Sequence, residues 1–433
     1  MKNFLWPSKC VPRCMTIFLL LVLTLAACAS GKTGGNPSSP PRATTGSTST
    51  TLTTSGGATP PAISSSAAWK IVASPNGTGL NTNTLSGVAA VSVNDVWAVG
   101  SYFNNRTSVT DLALTEHWNG RAWKIVFPPP APHSSDNYLE GVKVISTNDI
   151  WAVGYSNNSD RTLSQTLTMH WDGTQWSVVA SPNKGPGSNK LLAVSATSPS
   201  DIWAVGNFSN TNSGTSQTLT EHWNGREWTV VNSPVAPSSS DNFLSAVTAS
   251  GKNNVWAVGY DYTIDQTTSR TLIEHWNGTQ WTVVASPNTG TQNNQLLGVT
   301  AVSANDVWAV GFYLNSTGAV RTLTMYWNGT HWAIGTSANA NSTVNQLIGV
   351  TALSATNVWA VGYSFTSHDV KQTLIEHWNG SKWSVVSSPN ASTGDNQLNA
   401  VTKVPGTTQA WAVGYDGSGP FHGPQLTLTE HYA

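Results

Sequence analysis

From Trp69 onward, apolar and polar positions alternate in short runs along the chain. These runs favour Val, Trp, Thr, Leu and Tyr, which suit a pleated, half-buried strand. Between residues 297 and 335 the pattern predicts four strands, at Leu297–Ser303, Val307–Phe312, Arg321–Trp327 and Trp332–Gly335. An Asn-Gly pair separates the last two runs and a short Asn/Asp turn separates the first two, as tight antiparallel hairpins require.

This four-run unit recurs seven times, and tryptophan marks its period. The unit Asp-Val-Trp-Ala-Val-Gly, or a close variant, recurs every 51 to 54 residues and places its tryptophan at Trp97, Trp151, Trp203, Trp256, Trp308, Trp359 and Trp411. A His-Trp-Asn-Gly unit and a Trp-x-Val-Val unit follow the same spacing. A period near 50 residues composed of strands predicts a propeller or a solenoid.

The two ends of the repeat region decide between these architectures. The region begins at Trp69–Asn76, which reads as a fourth strand without its blade, and it stops at Thr429–Ala433, which reads as a third strand without its fourth. Residues 69–433 divided among seven repeats give about 52 residues each, one full period. We therefore predict an all-β, seven-bladed β-propeller of four-stranded blades. The strand from Trp69 completes the C-terminal blade, which leaves no unpaired terminal strand.

The third strand of five repeats carries a Glu-His pair, which resembles a catalytic acid and base. Adjacent strand residues point to opposite faces, and an active site does not need five copies. We expect structural roles instead, with each His bonding a turn residue such as Asp95 or Asp306 and so tying blades together. Met169 and Met325 replace Glu in two blades, which predicts a half-buried slot. The pairs are Glu116-His117, Glu221-His222, Glu274-His275, Glu376-His377 and Glu430-His431.

Composition narrows the possible chemistry. Charged residues make up only 9% of the chain, and 20 Lys and Arg among 433 residues do not form the basic surface that a nucleic-acid ligand requires. The three cysteines are Cys10, Cys14 and Cys28, so residues 29–433 offer neither a disulfide nor a cysteine metal ligand. We expect no catalytic residue, no metal, no cofactor and a monomeric chain.

The N-terminus reads as an export signal. Lys2, Lys9 and Arg13 precede an apolar run from Met15 to Ala27, which is shorter than a membrane-spanning helix. The run ends in Leu25-Ala26-Ala27-Cys28, which resembles the bacterial lipoprotein lipobox. The resemblance implies cleavage of residues 1–27, lipidation of Cys28 and anchoring to the outer leaflet of the plasma membrane at the bacterial cell surface.

Residues 28–68 are rich in Ser, Thr, Pro and Gly. Such a segment has too little apolar surface to fold, which predicts a disordered, flexible tether between the lipidated cysteine and the propeller. The domain prediction is therefore a signal peptide at 1–27, a tether at 28–68 and a propeller at 69–433.

The Trp-Ala-Val-Gly strand and the Asn-Gly-x-x-Trp hairpin resemble the bacterial propeller repeats of kelch, Asp-box, photosystem-assembly-factor-like and tectonin-type proteins. The resemblance covers residues 69–433 and implies the fold. The chain lacks the Gly-Gly doublet of kelch repeats, and it has His-Trp-Asn-Gly where Asp-box repeats have Ser-x-Asp-x-Gly. The fold alone implies no activity.

In a propeller, the loops between second and third strands share one face, and here these loops vary most between repeats. An aromatic residue follows each Trp-Ala-Val-Gly unit by one or two positions, which predicts a ring for ligand binding. The alternative, that these rings plug the cores between blades, stays open. The candidates are Tyr102, Tyr155, Phe208, Tyr260, Phe312, Tyr363 and Tyr415.

These observations predict a lipid-anchored, non-catalytic binding module for an extracellular glycan or protein. The alternative is a secreted polysaccharide hydrolase or lyase, with acids from different blades converging on the central channel. Asp160, Asp265 and Asp369, in the variable loops, are its candidate acids.

Overall fold

The computed structural model describes residues 67–77, 82–104, 110–340, 343–417 and 424–433. The predicted signal peptide, Cys28 and nearly all of the tether lie outside these residues. Within them, the chain forms seven antiparallel four-stranded sheets. The predicted seven-bladed β-propeller is therefore confirmed.

The strands follow one another along the chain, four to a blade, after a single strand that precedes blade 1. Their bounds are β1 (Trp69–Ile71); in blade 1, β2 (Asn83–Ser92), β3 (Asp95–Asn104), β4 (Thr110–Trp118) and β5 (Trp123–Ile125); in blade 2, β6 (Ser134–Ser146), β7 (Asp149–Asn158), β8 (Ser164–Trp171) and β9 (Trp176–Val179); in blade 3, β10 (Asn189–Ser198), β11 (Asp201–Asn210), β12 (Thr215–Trp223) and β13 (Trp228–Val231); in blade 4, β14 (Ser239–Gly251), β15 (Asn254–Thr263), β16 (Ser269–Trp276) and β17 (Trp281–Val283); in blade 5, β18 (Asn294–Ser303), β19 (Asp306–Leu314), β20 (Val320–Trp327) and β21 (Trp332–Gly335); in blade 6, β22 (Asn345–Ser354), β23 (Asn357–Phe365), β24 (Lys371–Trp378) and β25 (Trp383–Val386); and in blade 7, β26 (Asn396–Lys403), β27 (Ala410–Gly417) and β28 (Gln425–Tyr432).

Blade 7 is completed by β1, as the sequence predicts. The strand order of this sheet is β26-β27-β28-β1, with Trp69 opposite Tyr432 and Ile71 opposite Glu430. Trp69 is almost fully buried, and its ring lies 5.5 Å from that of Trp359 in blade 6. The first strand therefore closes the ring by backbone pairing and by packing against the next blade.

The innermost strand of each blade contacts the innermost strands of both neighbouring blades, so these seven strands surround the central channel. A bulge interrupts each of them one residue before a Gly or Ala. A Cβ on Gly141 would lie 3.0 Å from the Cα of Ala193 in blade 3, so only small residues permit this approach. Gly100 ends the Trp-Ala-Val-Gly unit because a Cβ there would collide with the carbonyl oxygen of Thr84.

Each space between blades holds a separate apolar core in which tryptophans dominate. In the first, Trp97 of blade 1 packs 4.8 Å from Trp171 and 5.5 Å from Trp176 of blade 2. Tilted and edge-to-face pairs of this kind contribute roughly 0.5–1.5 kcal/mol beyond the apolar area they bury. The Trp repeat in the sequence is therefore the repeat of these cores.

The two faces of the propeller differ as predicted. The turns between first and second strands meet the hairpins between third and fourth strands, since Trp118 Nε1 donates to the Val93 carbonyl at 3.1 Å. We call this side the short-turn face, and the opposite side, which carries the connections between second and third strands, the loop face. On the loop face the strands are longer than predicted: β19 continues to Leu314, whereas the pattern ends it at Phe312.

Replacing Trp69 tests the closure. Trp69→Ala should lower the free energy of unfolding by about 3–5 kcal/mol, the usual cost of truncating a buried aromatic residue. Urea unfolding followed by tryptophan fluorescence measures this change.

The control is Lys70→Ala on the same strand, where the side chain is exposed and the expected change is within about 0.5 kcal/mol. Equal, small effects of both substitutions would contradict the role assigned to this strand.

Candidate functional site

The seven predicted aromatic residues all lie in second strands, and their offset from the repeat glycine divides them into two groups. Tyr102 and Phe208 stand two positions after the glycine and are buried in the cores between blades, so the plug interpretation holds for them. The five that stand one position after it point to the opposite face of their sheets, because side chains alternate along a strand. The structure therefore does not form one ring of seven.

The five residues of the second group, and Ser101 and Asn207 at the same position in blades 1 and 3, pair across the strands with residues near the start of the innermost strands. We call these cross-strand pairs the channel mouth, because their inner members are all half-buried beside the central channel. The pairs, in blade order, are Thr84 with Ser101, Tyr138 with Tyr155, Lys190 with Asn207, Phe243 with Tyr260, Gln295 with Phe312, Gln346 with Tyr363, and Gln397 with Tyr415.

Aromatic rings dominate the mouth in blades 2 and 4. Tyr138 and Tyr155 stack with centroids 4.8 Å apart, and the Lys190 ammonium lies 4.0 Å from the Tyr155 ring. In blade 4, Phe243 stacks on Tyr260 at 5.0 Å. These blades therefore give the mouth an aromatic side.

Glutamines dominate the mouth in blades 5 to 7. The Tyr363 hydroxyl donates to the Gln346 amide oxygen at 2.8 Å. Lys371 Nζ donates to Gln397 at 2.7 Å and to the Tyr415 hydroxyl at 2.9 Å. This side therefore offers amide and phenol groups. The mouth as a whole is asymmetric although the fold is nearly sevenfold.

One carboxylate lies on the innermost strand of blade 2, two residues after Tyr138 of the aromatic side. Glu140 occupies the bulge of β6, between Leu139 and Gly141, and is half-buried. Burial raises the pKa of Glu140 to about 7, against the opposing effects of Ser86 and the charge of Lys190. Burial also raises the pKa of Tyr155, and the charge of Glu140 raises it further. The other bulges carry uncharged residues, namely Ser86, Leu192, Ser245, Leu297, Ile348 and Asn399.

Sequence reasoning missed Glu140 because a bulge redirects a side chain that simple alternation assigns to a sheet face. The available signal was a lone Glu in a column otherwise occupied by Ser, Leu, Ile and Asn. It requires aligning the repeats with one another rather than searching for a motif.

The three loop acids do not come together. Asp160 and Asp265 are exposed and accept hydrogen bonds from threonines in their own turns, at 2.7 Å from Thr162 and 2.5 Å from Thr263. Asp369 is exposed in a positive-φ turn. They belong to blades 2, 4 and 6, each separated by another blade, so they form no carboxylate pair.

The third-strand histidines have structural roles, but one detail of the prediction is wrong. His117 Nε2 lies 2.9 Å from Asp95 Oδ1, and its ring stacks on Trp97 at 4.4 Å. Asp95 belongs to the same blade, so the bond braces one blade and does not tie two together. The example of Asp306 is also wrong, because Tyr326 replaces histidine in blade 5.

The glutamate slot is fully buried, not half-buried as predicted. Glu116, Glu221, Glu274, Glu376 and Glu430 are all completely inaccessible. Three of them accept a hydrogen bond from a serine of the preceding blade, as Glu274 does from Ser233 at 2.5 Å. Burial raises the pKa of Glu221 to about 8, so its carboxyl is mostly protonated at neutral pH.

A repeated asparagine positions the loop before each innermost strand, and sequence reasoning missed it. Asn83 Oδ1 accepts from the backbone N–H of Gly77 at 2.8 Å, and corresponding bonds recur in all seven blades. The signal was an invariant Asn two residues before the Leu of each innermost strand. It anchors the loop next to the channel mouth.

Among the described residues, no three His, Cys, Asp or Glu side chains cluster as metal ligands would. In the same part of the chain, no helix has the length and apolar character needed to cross a membrane.

No protein-family model matches this chain, and no curated protein matches it in sequence. Among solved structures, YCF48 with a bound D1 peptide has a TM-score of 0.50 and 14% identity, over 84% of this chain and 96% of that one. YCF48 from Cyanidioschyzon merolae has a TM-score of 0.50 and 15% identity, over 84% and 98%. A protein of unknown function from Dyadobacter fermentans has a TM-score of 0.50 and 11% identity over the same shares. At these identities the likeness shows the fold alone.

The buried glutamates should make stability fall as pH rises. Glu221 holds a proton up to about pH 8 in the folded chain, whereas the ordinary value for Glu is 4.5. Between these two pH values, folding takes up a proton. As the pH rises through this range, each such group therefore lowers the free energy of unfolding by up to about 1.4 kcal/mol per pH unit. Glu221→Met, which copies Met169 and Met325, should reduce this slope by about one proton between pH 6.5 and 7.5 in urea unfolding.

Glu227→Met is the matched control, because Glu227 is exposed in the same blade. It should leave the slope unchanged. A Glu221→Met slope equal to that of the unsubstituted protein would mean that the buried carboxyl is already ionised.

Proposed function

We propose that this protein is a lipid-anchored, non-catalytic binding module of the bacterial cell surface, whose channel mouth binds an extracellular glycan or protein segment. The observation that carries the proposal is the asymmetry of the mouth. A scaffold of seven near-identical blades has no structural need for aromatic pairs on one side and glutamines on the other.

The chemistry of the mouth suits such ligands. Exposed parts of Tyr155 and Tyr260 offer flat apolar surfaces for a sugar ring or a peptide side chain. Gln295 and Gln346 both donate and accept hydrogen bonds, as sugar hydroxyls and peptide groups require. Pockets that combine aromatic surface with a few polar groups are typical of ligand sites on rigid scaffolds.

The bound peptide of the YCF48 structure supports the protein alternative only at the level of the fold. The sequence supports both alternatives. The loop face is rich in the neutral residues Ser, Thr and Asn and has few charged residues that would select an ionic partner. A glycan array and a library of extended peptides, probed with the purified propeller, separate the two ligand classes.

Tyr260→Ala tests the assignment of the mouth. It removes the ring that stacks on Phe243, so the dissociation constant of any ligand found in those screens should rise at least tenfold. Calorimetric titration measures the change.

Phe208→Leu is the control, because Phe208 is the corresponding aromatic residue that lies between blades. It should leave the affinity unchanged. If Tyr260→Ala binds as tightly as the unsubstituted protein, the ligand does not occupy the mouth.

The membrane anchor rests on the lipobox alone. In cells labelled with a radioactive fatty acid, the protein should carry label and sediment with membranes, and Cys28→Ser should abolish both. Label that persists in Cys28→Ser would refute lipidation at this residue.

A second candidate function, polysaccharide hydrolase or lyase, is favoured by one observation. Glu140 has a pKa of about 7 on the channel, beside Tyr155 and Lys190, and such a value suits a general acid or base. If the protein degrades uronic-acid or neutral polysaccharides, Glu140→Gln should abolish the activity while the melting temperature is retained. Undiminished activity in Glu140→Gln would exclude this residue as the acid or base.

A further inference from the structure

A cavity of about 680 Å³ opens between blades 5 and 6 on the short-turn face, away from the channel mouth. We call it the blade 5–6 cleft. One wall is the fourth strand of blade 5, β21, from Ala333 to Gly335. Four aromatic residues complete it, Trp308 and Tyr326 from blade 5 and Trp378 and Trp383 from blade 6.

The cleft exists because one repeated side chain is missing. In six blades, the residue three positions after the fourth-strand tryptophan is a valine that packs on the core between its blade and the next; these are Val72, Val126, Val179, Val231, Val284 and Val386. In blade 5 this residue is Gly335. The core between blades 5 and 6 therefore lacks the valine, and Gly335 lines the cleft instead.

A second departure from the repeat leaves a carboxylate without its usual partner. In the other six blades, a histidine of the third strand lies within hydrogen-bond distance of the Asp, Asn or Gln that precedes the repeat tryptophan by two positions. Blade 5 has Tyr326 in place of histidine. Among the described residues, buried Oδ1 of Asp306 has no hydrogen-bond partner. The indole N–H of Trp308 interacts with this carboxylate.

These two changes meet in one place, although they lie on different strands and are separated by eight residues. Tyr326 also keeps its ring against Trp308, at 4.7 Å, so aromatic packing survives where the histidine hydrogen bond is lost. The result is a cleft with aromatic walls and a carboxylate that has no hydrogen bond to a histidine. No other blade combines both departures from the repeat.

The lining selects the class of ligand. Asp306 accepts hydrogen bonds, Lys382 donates them, and the Ser381 hydroxyl does both. Lys382 would repel a simple cation, and Asp306 would repel a simple anion. A neutral sugar both donates and accepts, and its apolar face packs on aromatic rings such as Trp378, which is half-buried. A volume of about 680 Å³ is in the range of small-molecule pockets.

We infer that the blade 5–6 cleft is a binding site for a neutral sugar of one or two rings, distinct from the channel mouth. The sugar stacks on Trp378 and Tyr326, and its hydroxyls donate to Asp306. Gly335 provides the space, and Tyr326 leaves Asp306 available.

The test uses two substitutions that restore the repeat. Gly335→Val fills the cleft, and Tyr326→His gives Asp306 the partner that Asp95 has in His117. Both copy residues that other blades already carry, so the variants should fold. The probes are chitobiose, cellobiose, mannobiose and lactose, titrated by calorimetry and by quenching of tryptophan fluorescence.

We expect at least one disaccharide to bind, and each substitution to weaken its binding at least tenfold with the melting temperature unchanged or higher. Lys124→Val, which places a valine at an exposed fourth-strand position of blade 1, is the control and should leave the affinity unchanged. Choline is titrated in parallel as a simple cation.

Three results would overturn the inference. These are binding of none of the four disaccharides, affinity that survives Gly335→Val, and binding of choline in place of sugars. The two sites are distinguishable, because a sugar whose affinity falls in Tyr260→Ala but not in Gly335→Val occupies the channel mouth. That result refutes the cleft and leaves the proposed function intact.

Discussion

Ring closure by β1 is the constraint on which the rest of the structure depends. Seven blades pack as a ring only if each one finds a neighbour on both sides, and blade 7 obtains its outer strand from the opposite end of the repeat region. Trp69 completes the core between blades 6 and 7. It has the same role there that Trp123 has in the core between blades 7 and 1. Closure brings the seven innermost strands together, and their contact creates the channel whose mouth and bulges carry the candidate site.

The fold could be predicted from the sequence because its signals are local and repeated. The tryptophan period gives the number of blades, and the truncated repeats at Trp69 and Tyr432 give the closure. The strand ends on the loop face were less predictable, since hydrogen bonding between β19 and β20 continues beyond the apolar pattern, to Leu314 and Val320. Pairing there depends on the partner strand, and the apolar pattern of a single strand carries no information about that partner.

The site was predictable only in part, because the sequence does not show reliably which sheet face a side chain points to or how deeply it is buried. Tyr102 and Tyr155 look equivalent in sequence, yet an offset of one residue turns them to opposite faces of their sheets. The exchange of Glu for Met in the slot of Glu116 predicts a half-buried position, but a carboxyl with a raised pKa can be protonated and buried. Glu140 was missed because its orientation comes from a bulge. In each case the deciding fact is where the neighbouring strand lies.

The position of β1 also determines how the domain bears mechanical load. β1 lies at the outer edge of blade 7, where three residue pairs join it to β28, and it is the first strand of the propeller along the chain. Tension applied through the N-terminal side of the chain is transmitted to these pairs and to Trp69 before it reaches any other blade. The seam that closes the toroid is therefore the part of the domain that such tension reaches first.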